Sequence, residues 1–271
     1  MQIHRISRLM LIAITSLLAS GCANMMITGS ADVKKNAFGS KKKYAVVSIA
    51  ALKTFRGQQG MAQMFKDNDN IPGTNTQPII NKLNSKIISA LDKSKHFSLV
   101  PESTVLGSKA YKKLTEDERA MQIVFLNDKI NVANNYKYIS DEKKFAKLAA
   151  DLGVDGVIGI TMTFTSVVGG GVFSIGGISL GKKSYSATAT ITAVAYNKNG
   201  EVVWKDATAK QAEPGDTKAI VLIDISNMTD TGFEKLHPSA IEIGGKAVDV
   251  LLARFDDTMA GKETSSFQSV K

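Results

Sequence analysis

At 271 residues with a single cysteine, the chain is long enough to bury a core without disulfides and can form no disulfide within itself. Its formal charge is +9, from 34 Lys and Arg against 25 Asp and Glu. Removing residues 1–21 takes two arginines and no acids, leaving 32 against 25, or +7; residues 22–43 then hold five lysines against Asp32, so only +3 remains for the rest. A nucleic-acid interface needs charge clustered on the folded face, and this distribution speaks against that partner.

Arg5 and Arg8 precede the apolar run Leu9–Leu18, which Ala19-Ser20-Gly21-Cys22 closes. Ten residues make about 15 Å of helix, about half a bilayer's hydrocarbon core, so 1–21 reads as a signal peptide and not as a membrane span. Cys22, set directly after small Ser20 and Gly21, resembles a bacterial lipobox. The resemblance implies that the thiol is acylated by chains such as palmitate and that the leader is cut just before it. One acyl chain anchors only marginally, whereas the three that the lipobox implies hold a protein at the membrane. Ala23 stands where, in enteric lipoproteins, aspartate would favour the inner membrane, so the outer membrane is expected, with the domain facing the periplasm. Residues 22–43 read as a lipidated, flexible, basic tether, its lysines suited to anionic head groups or the cell-wall polymer.

Hydrophobic patterning begins at Tyr44 and continues to about Met259, giving one domain over 44–260 and a frayed tail over 261–271. Tyr44–Ala50 is a β-branched apolar run that reads as a buried strand. Leu52–Asn75 shows no sustained period. Pro78 opens a helix with Ile79, Leu83, Ile87 and Leu91 on one stripe. Phe97–Val100 is a second strand, stopped by Pro101. Thr115 and Glu118 have capping-box spacing and predict another helix. Ser140 is a candidate N-cap for a helix over Asp141–Leu152, stopped by Gly153. Val154–Val168 and Ser184–Asn197 then alternate threonine with apolar residues, which predicts antiparallel strands with unlike faces. Asn197–Gly200 is a hairpin turn into a strand over Glu201–Lys210. Ala219–Ile225 is a further strand, and Pro238–Met259 is a closing helix with Ile241, Val248, Leu252, Phe255 and Met259 on one side. The fold class is α/β (α+β): a mixed β-sheet covered by helices, with a C-terminal antiparallel meander and a closing helix.

The opening strand Tyr44–Ala50 with its helix, Phe97–Pro101, Leu152–Ile158 and Asn199–Trp204 are similar to the TolB amino-terminal-like fold. The curli secretion lipoprotein and the outer-membrane activator of a penicillin-binding protein share it. The resemblance spans most of Tyr44–Met259 and implies an envelope lipoprotein with no catalytic residues. Leu52–Asn75 has no counterpart in it.

Gly176–Lys183 nearly spells a phosphate-binding loop, but Lys183 replaces the required Ser or Thr and the sequence after it reads as a strand. His96 and His237 read as local capping or surface residues. The serines in strands (Ser48, Ser98, Ser166) lack a nucleophile elbow, and Asp141-Glu142 and Asp256-Asp257 are neighbours that do not face each other. No catalytic, cofactor or metal residue is nominated, and the chain is expected not to be an enzyme. Phe55, Met61, Met64 and Phe65 lie in a polar, glycine-bearing stretch suited to adaptable contact, or else fold down over the core. Val172, Phe173 and Ile175 lie in the Gly-rich segment Val167–Gly181. The expected function is a lipid-anchored module that binds another envelope protein or the cell wall. A homo-oligomeric export channel of the curli type, built from the two long strands, is the alternative, and an enzyme with an unidentified site is the third reading.

Overall fold

The computed structural model describes residues 31–58, 70–123, 126–169, 174–175, 178–179, 182–212, 220–224, 234–262 and 264. Its centre is a pair of long antiparallel strands, β8 (Gly156–Gly169) and β11 (Lys182–Asn197), in unbroken register from Ser184↔Gly169 to Asn197↔Gly156. On the β8 side, β2 (Lys43–Leu52) pairs in parallel with the first half of β8. Lys53 then bends the chain, and β3 (Thr54–Gln58) continues in parallel along the second half. On the β11 side, β12 (Val202–Gln211) pairs with Thr188–Tyr196, and β13 (Ile220–Asp224) pairs with Lys182–Ser186. Both therefore lie along one edge of the same strand.

Smaller strands complete an 11-stranded sheet: β1 (Asp32–Val33) on β12, β5 (Ser98–Leu99) and β7 (Leu126–Val132) on β2, β6 (Ala120–Ile123) on β7, and β4 (Asn70–Asn75) on β3. A separate hairpin joins β9 (Ser174–Ile175) to β10 (Ile178–Ser179).

Period two sets which side of the sheet each helix covers. Gly244 of helix α5 (His237–Met259) sits over Leu83 of α1 (Gln77–Asp92) and over Phe164, so α1 and α5 lie on the face of Ile160, Met162 and Phe164. On the other face, Phe145 of α4 (Glu142–Leu152) packs onto Gly159, where an added methyl would come within 2.9 Å of the ring. Asp141 caps α4 by accepting from the Lys143 N–H at 2.9 Å, one residue later than expected. Gly153 ends it at φ +64°, the left-handed value that favours glycine. Among the described residues no helix is long and apolar enough to cross a membrane.

Several expectations need correction. Thr115–Glu118 opens no helix; the chain is extended and enters β6. Glu116 and Asp117 tie down the next loop instead: Glu116 accepts from Tyr138 N at 2.8 Å, and Asp117 from Ser140 N and Asp141 N at 2.7 and 3.0 Å. Leu52–Asn75 is not patternless, since it contains the β3–β4 pair. The stripe of α5 is met in part: Val248 and Phe255 are buried as expected, together with Ala240, Ile243, Gly244, Ala247, Leu251 and Arg254, while Ile241, Leu252 and Met259 only pack at its margin. Small residues face inward because α5 lies close on α1, with no room for a side chain at Gly244.

Candidate functional site

The tether reading fails for residues 32–43. Val33 is the register partner of Trp204, and Lys34 N donates to Val203 O at 2.9 Å. After a 3-10 turn over Lys35–Ala37, Phe38 is buried, stacked on Tyr44 at 4.9 Å and edge-on to Phe255 at 5.0 Å. Gly39 N donates to His96 O at 2.7 Å, and Tyr44 Oη donates back to Ala37 O at 3.0 Å. The arm from β1 onward is thus part of the domain. Its exposed lysines and lack of period imitate a linker, but one aromatic ring and two ladder residues suffice to dock it.

The arm closes an aromatic cluster at one end of the sheet. Trp204, fully buried, lies 4.7 Å from Phe255, and Phe97 lies 5.3 Å from Tyr44. Burial, with the Asp155 carboxylate second, pushes the Tyr44 phenol well above its ordinary value, so it stays a neutral donor. Beside the cluster, Arg254 of α5 donates to Asp206 of β12 through Nε at 2.9 Å and through a terminal nitrogen at 3.0 Å. Both side chains are essentially sealed, at 2 % and 0 % exposure. This forked pair was not foreseen: the two residues are 48 apart in sequence, and each alone looks like a surface charge.

Just outside the cluster, the same end of the sheet is rich in lysine. Asp155, in the turn before β8, accepts from Lys43 N at 2.9 Å and from Lys42 Nζ at 3.2 Å. The Lys43 backbone N–H is the main cause that holds its carboxyl below the ordinary value, against a smaller opposing effect of burial. His96 Nε2 lies 3.1 Å from Asp256, off the line a hydrogen bond needs. His237 is half-buried at the start of α5, where desolvation lowers its imidazole despite Glu234 and the backbone of Asn75.

The candidate contact residues divide. Phe55 is a correction: it is fully buried and stacks on Phe164 at 5.6 Å, so it folds over the core and offers no surface. Ile175 lies in the β9–β10 hairpin, opposite Ile178. Cys22, Met61, Met64, Phe65, Val172 and Phe173 lie outside the described residues. The glycine run before Lys182 leads into strand β11, so no helix N-terminus stands there to hold a phosphate.

A cleft of about 420 Å³ opens where Lys53 bends β2 into β3, lined by Lys53, Arg119, Lys129 and Asn131. Arg119 is held by Glu116 at 2.7 and 3.1 Å, and the Asn131 amide is spent on Asn75 Oδ1 and Thr76 Oγ1 at 2.7 and 3.2 Å. Glu118 shares the wall with Lys53 and Lys129, which leaves a polar notch of mixed charge.

No family model matches the chain, and no curated protein matches it. Among solved structures, the C-terminal domain of LpoB from Salmonella enterica is similar to it over 73% of this chain and 92% of that domain, at 12% identity and a TM-score of 0.32.

Proposed function

We propose that this chain is a lipid-anchored protein of the bacterial outer membrane whose α/β domain faces the periplasm and binds another envelope protein. The observation that carries the reading is the leader of Arg5, Arg8 and Leu9–Leu18 closing on Ser20-Gly21-Cys22. Docking of the arm sharpens it. With β1 starting at Asp32, nine residues lie between it and Cys22, a span of ten Cα steps that reaches at most about 35 Å. The anchor therefore keeps the domain close to the lipid surface. The work of the protein is positional, and it assigns no catalytic step, cofactor or metal.

Intact mass of the protein purified from membranes tests the anchor: residues 1–21 lost and acyl mass gained on Cys22 supports it, and a free thiol or an uncut leader defeats it. A photo-crosslinking residue at Met64 or Phe173 tests the partner half, which stands if it traps one discrete envelope protein and falls if it traps none. The channel alternative draws on the length of the β8–β11 pairing. Yet Ile160, Met162 and Phe164 are core beneath α1 and α5, and from Thr165 onward β3 and β13 already pair with these strands. A large detergent-requiring ring would favour the channel, and a monomer the binding module.

A further inference from the structure

We infer that the lysine-rich end of the sheet is the face the domain lays against anionic lipid, so that the β9–β10 hairpin points away from the membrane. The inference rests on the anchored reading above and adds an orientation to it. Topology gathers the charges: β2, β8 and β12 begin at this end, β11 ends there, and α1, α4 and α5 all terminate there. The loops that result are tied to one another. Ser98 Oγ donates to Ser40 O at 3.1 Å, Asp155 bonds Lys42 and Lys43, and Lys35 Nζ lies near Gly261 beyond the end of α5.

Lys34, Lys35, Lys41, Lys93, Lys95 and Lys198 are all exposed on these loops. The neighbouring carboxylates are largely occupied: Asp155 by Lys42, Asp257 by Lys262 at 2.8 Å, and Asp256 faces His96. Exposed Asp32, Asp92 and Glu201 stand against the six lysines, which leaves the face positive. Such a cluster beside a lipid anchor is attracted to a negatively charged leaflet over about a screening length. β1 runs toward this end beside the first residues of β12, Asp32 lying opposite Lys205, so the link to Cys22 joins the body within roughly 10 Å of the lysines. Running from there, the fourteen residues of β8 put its far end, beyond which the β9–β10 segment follows in the chain, roughly 45 Å away.

The test uses the full chain purified from bacterial membranes and reconstituted in vesicles containing acceptor-labelled lipid. A fluorophore is placed on Asn199→Cys, in the turn between β11 and β12, or separately on Ser179→Cys in β10. Acylated Cys22 offers no competing thiol, which intact mass verifies. With phosphatidylglycerol in the vesicles, transfer from position 199 is expected to exceed transfer from 179 several-fold. The ratio should fall towards one in pure phosphatidylcholine, at about 1 M salt where screening acts within about 3 Å, and in the Lys41→Glu/Lys95→Glu/Lys198→Glu variant. Equal transfer from the two positions, or a ratio indifferent to lipid charge and salt, overturns the orientation alone. A chain that floats with neither vesicle overturns the anchor and the orientation together. The lipid and salt comparisons use the unmodified lysines, so the test does not depend on the triple variant folding.

Discussion

At the arm end of the sheet, Phe38, Tyr44, Phe97, Trp204 and Phe255 pack ring against ring, and the sealed Arg254–Asp206 pair lies beside them. Further along the same two central strands, threonines stand directly opposite one another: Thr161↔Thr192, Thr163↔Thr190 and Thr165↔Thr188. Helix α4 covers Gly159 and Val194 and leaves most of these rows partly open to solvent. The first region converts burial and charge pairing into stability. The second keeps regular β-structure through ladder bonds and short hydroxyl side chains, which bury far less apolar area. One sheet is therefore held firmly at its arm end and more lightly on the threonine face of its middle.

The sharpest way to break the contrast is Arg254→Ala. It strands the Asp206 carboxylate in a dry site, and urea unfolding should show a loss of about 3–5 kcal/mol. Replacing both partners, Arg254→Met with Asp206→Leu, should recover most of it, since the isolated charge is what costs. Phe38→Ala comes next, at about 3 kcal/mol. Because Trp204 is the chain's one tryptophan and pairs with Val33 across the arm, its fluorescence should then become open to quenching by iodide. Unchanged Trp204 accessibility would mean the arm does not cover the cluster.

Gly156→Ala should cost about 1–3 kcal/mol, the usual range for overpacking. Its methyl would fall 2.4 Å from the Tyr44 ring and 2.8 Å from Tyr196 O, and the backbone oxygen cannot swing aside. At the lightly held rows, Thr163→Ala and Thr190→Ala should each cost well under about 1 kcal/mol; losses as large as that for Phe38 would erase the contrast.

Acid should act on three outlying carboxylates. Burial raises Glu116 and Asp117, but Arg119 and Lys144 respectively, with backbone N–H groups, outweigh it and leave both lowered; Asp155 is lowered chiefly by Lys43 N–H. Groups held low in the fold bind protons more readily when unfolded. Their stabilisation is complete above the ordinary values of 4.5 and 3.8 and is lost as pH falls through the depressed ones. The unfolding midpoint should therefore drop from about pH 5 to about pH 3, with a shallower drop in Asp117→Asn.

Much of this layout was legible because it depends on local repeats. Thr alternation in β8 and β11, Pro78 at the start of α1, Gly153 after α4 and the Asn197–Gly200 turn each state their geometry within a few residues. What escaped notice depends on partners distant in the chain. The two residues of β1 acquire meaning only opposite β12, and Phe55 reads as a loose aromatic until Phe164 is beneath it. Thr115 and Glu118 have helix-start spacing, yet the carboxylates between them bond a loop more than twenty residues on. In α5 the apolar count found Val248 and Phe255 but missed the rest of the buried face, because close approach to α1 selects small residues and Asp206 draws an arginine inside. Of the candidate contact surface, the sequence overstated Phe55 and did not foresee that the lysines would be gathered by topology at one end.

The arm has its seat built from elements that lie far downstream of it in the chain. Val33 must wait for β12, and Phe38 must wait for Phe255, close to the end of α5. A truncated copy without α5 would expose a bare phenylalanine and an uncovered tryptophan. Formation of α5 is thus what closes the arm onto the sheet, and the two ends of the fold are stabilised together.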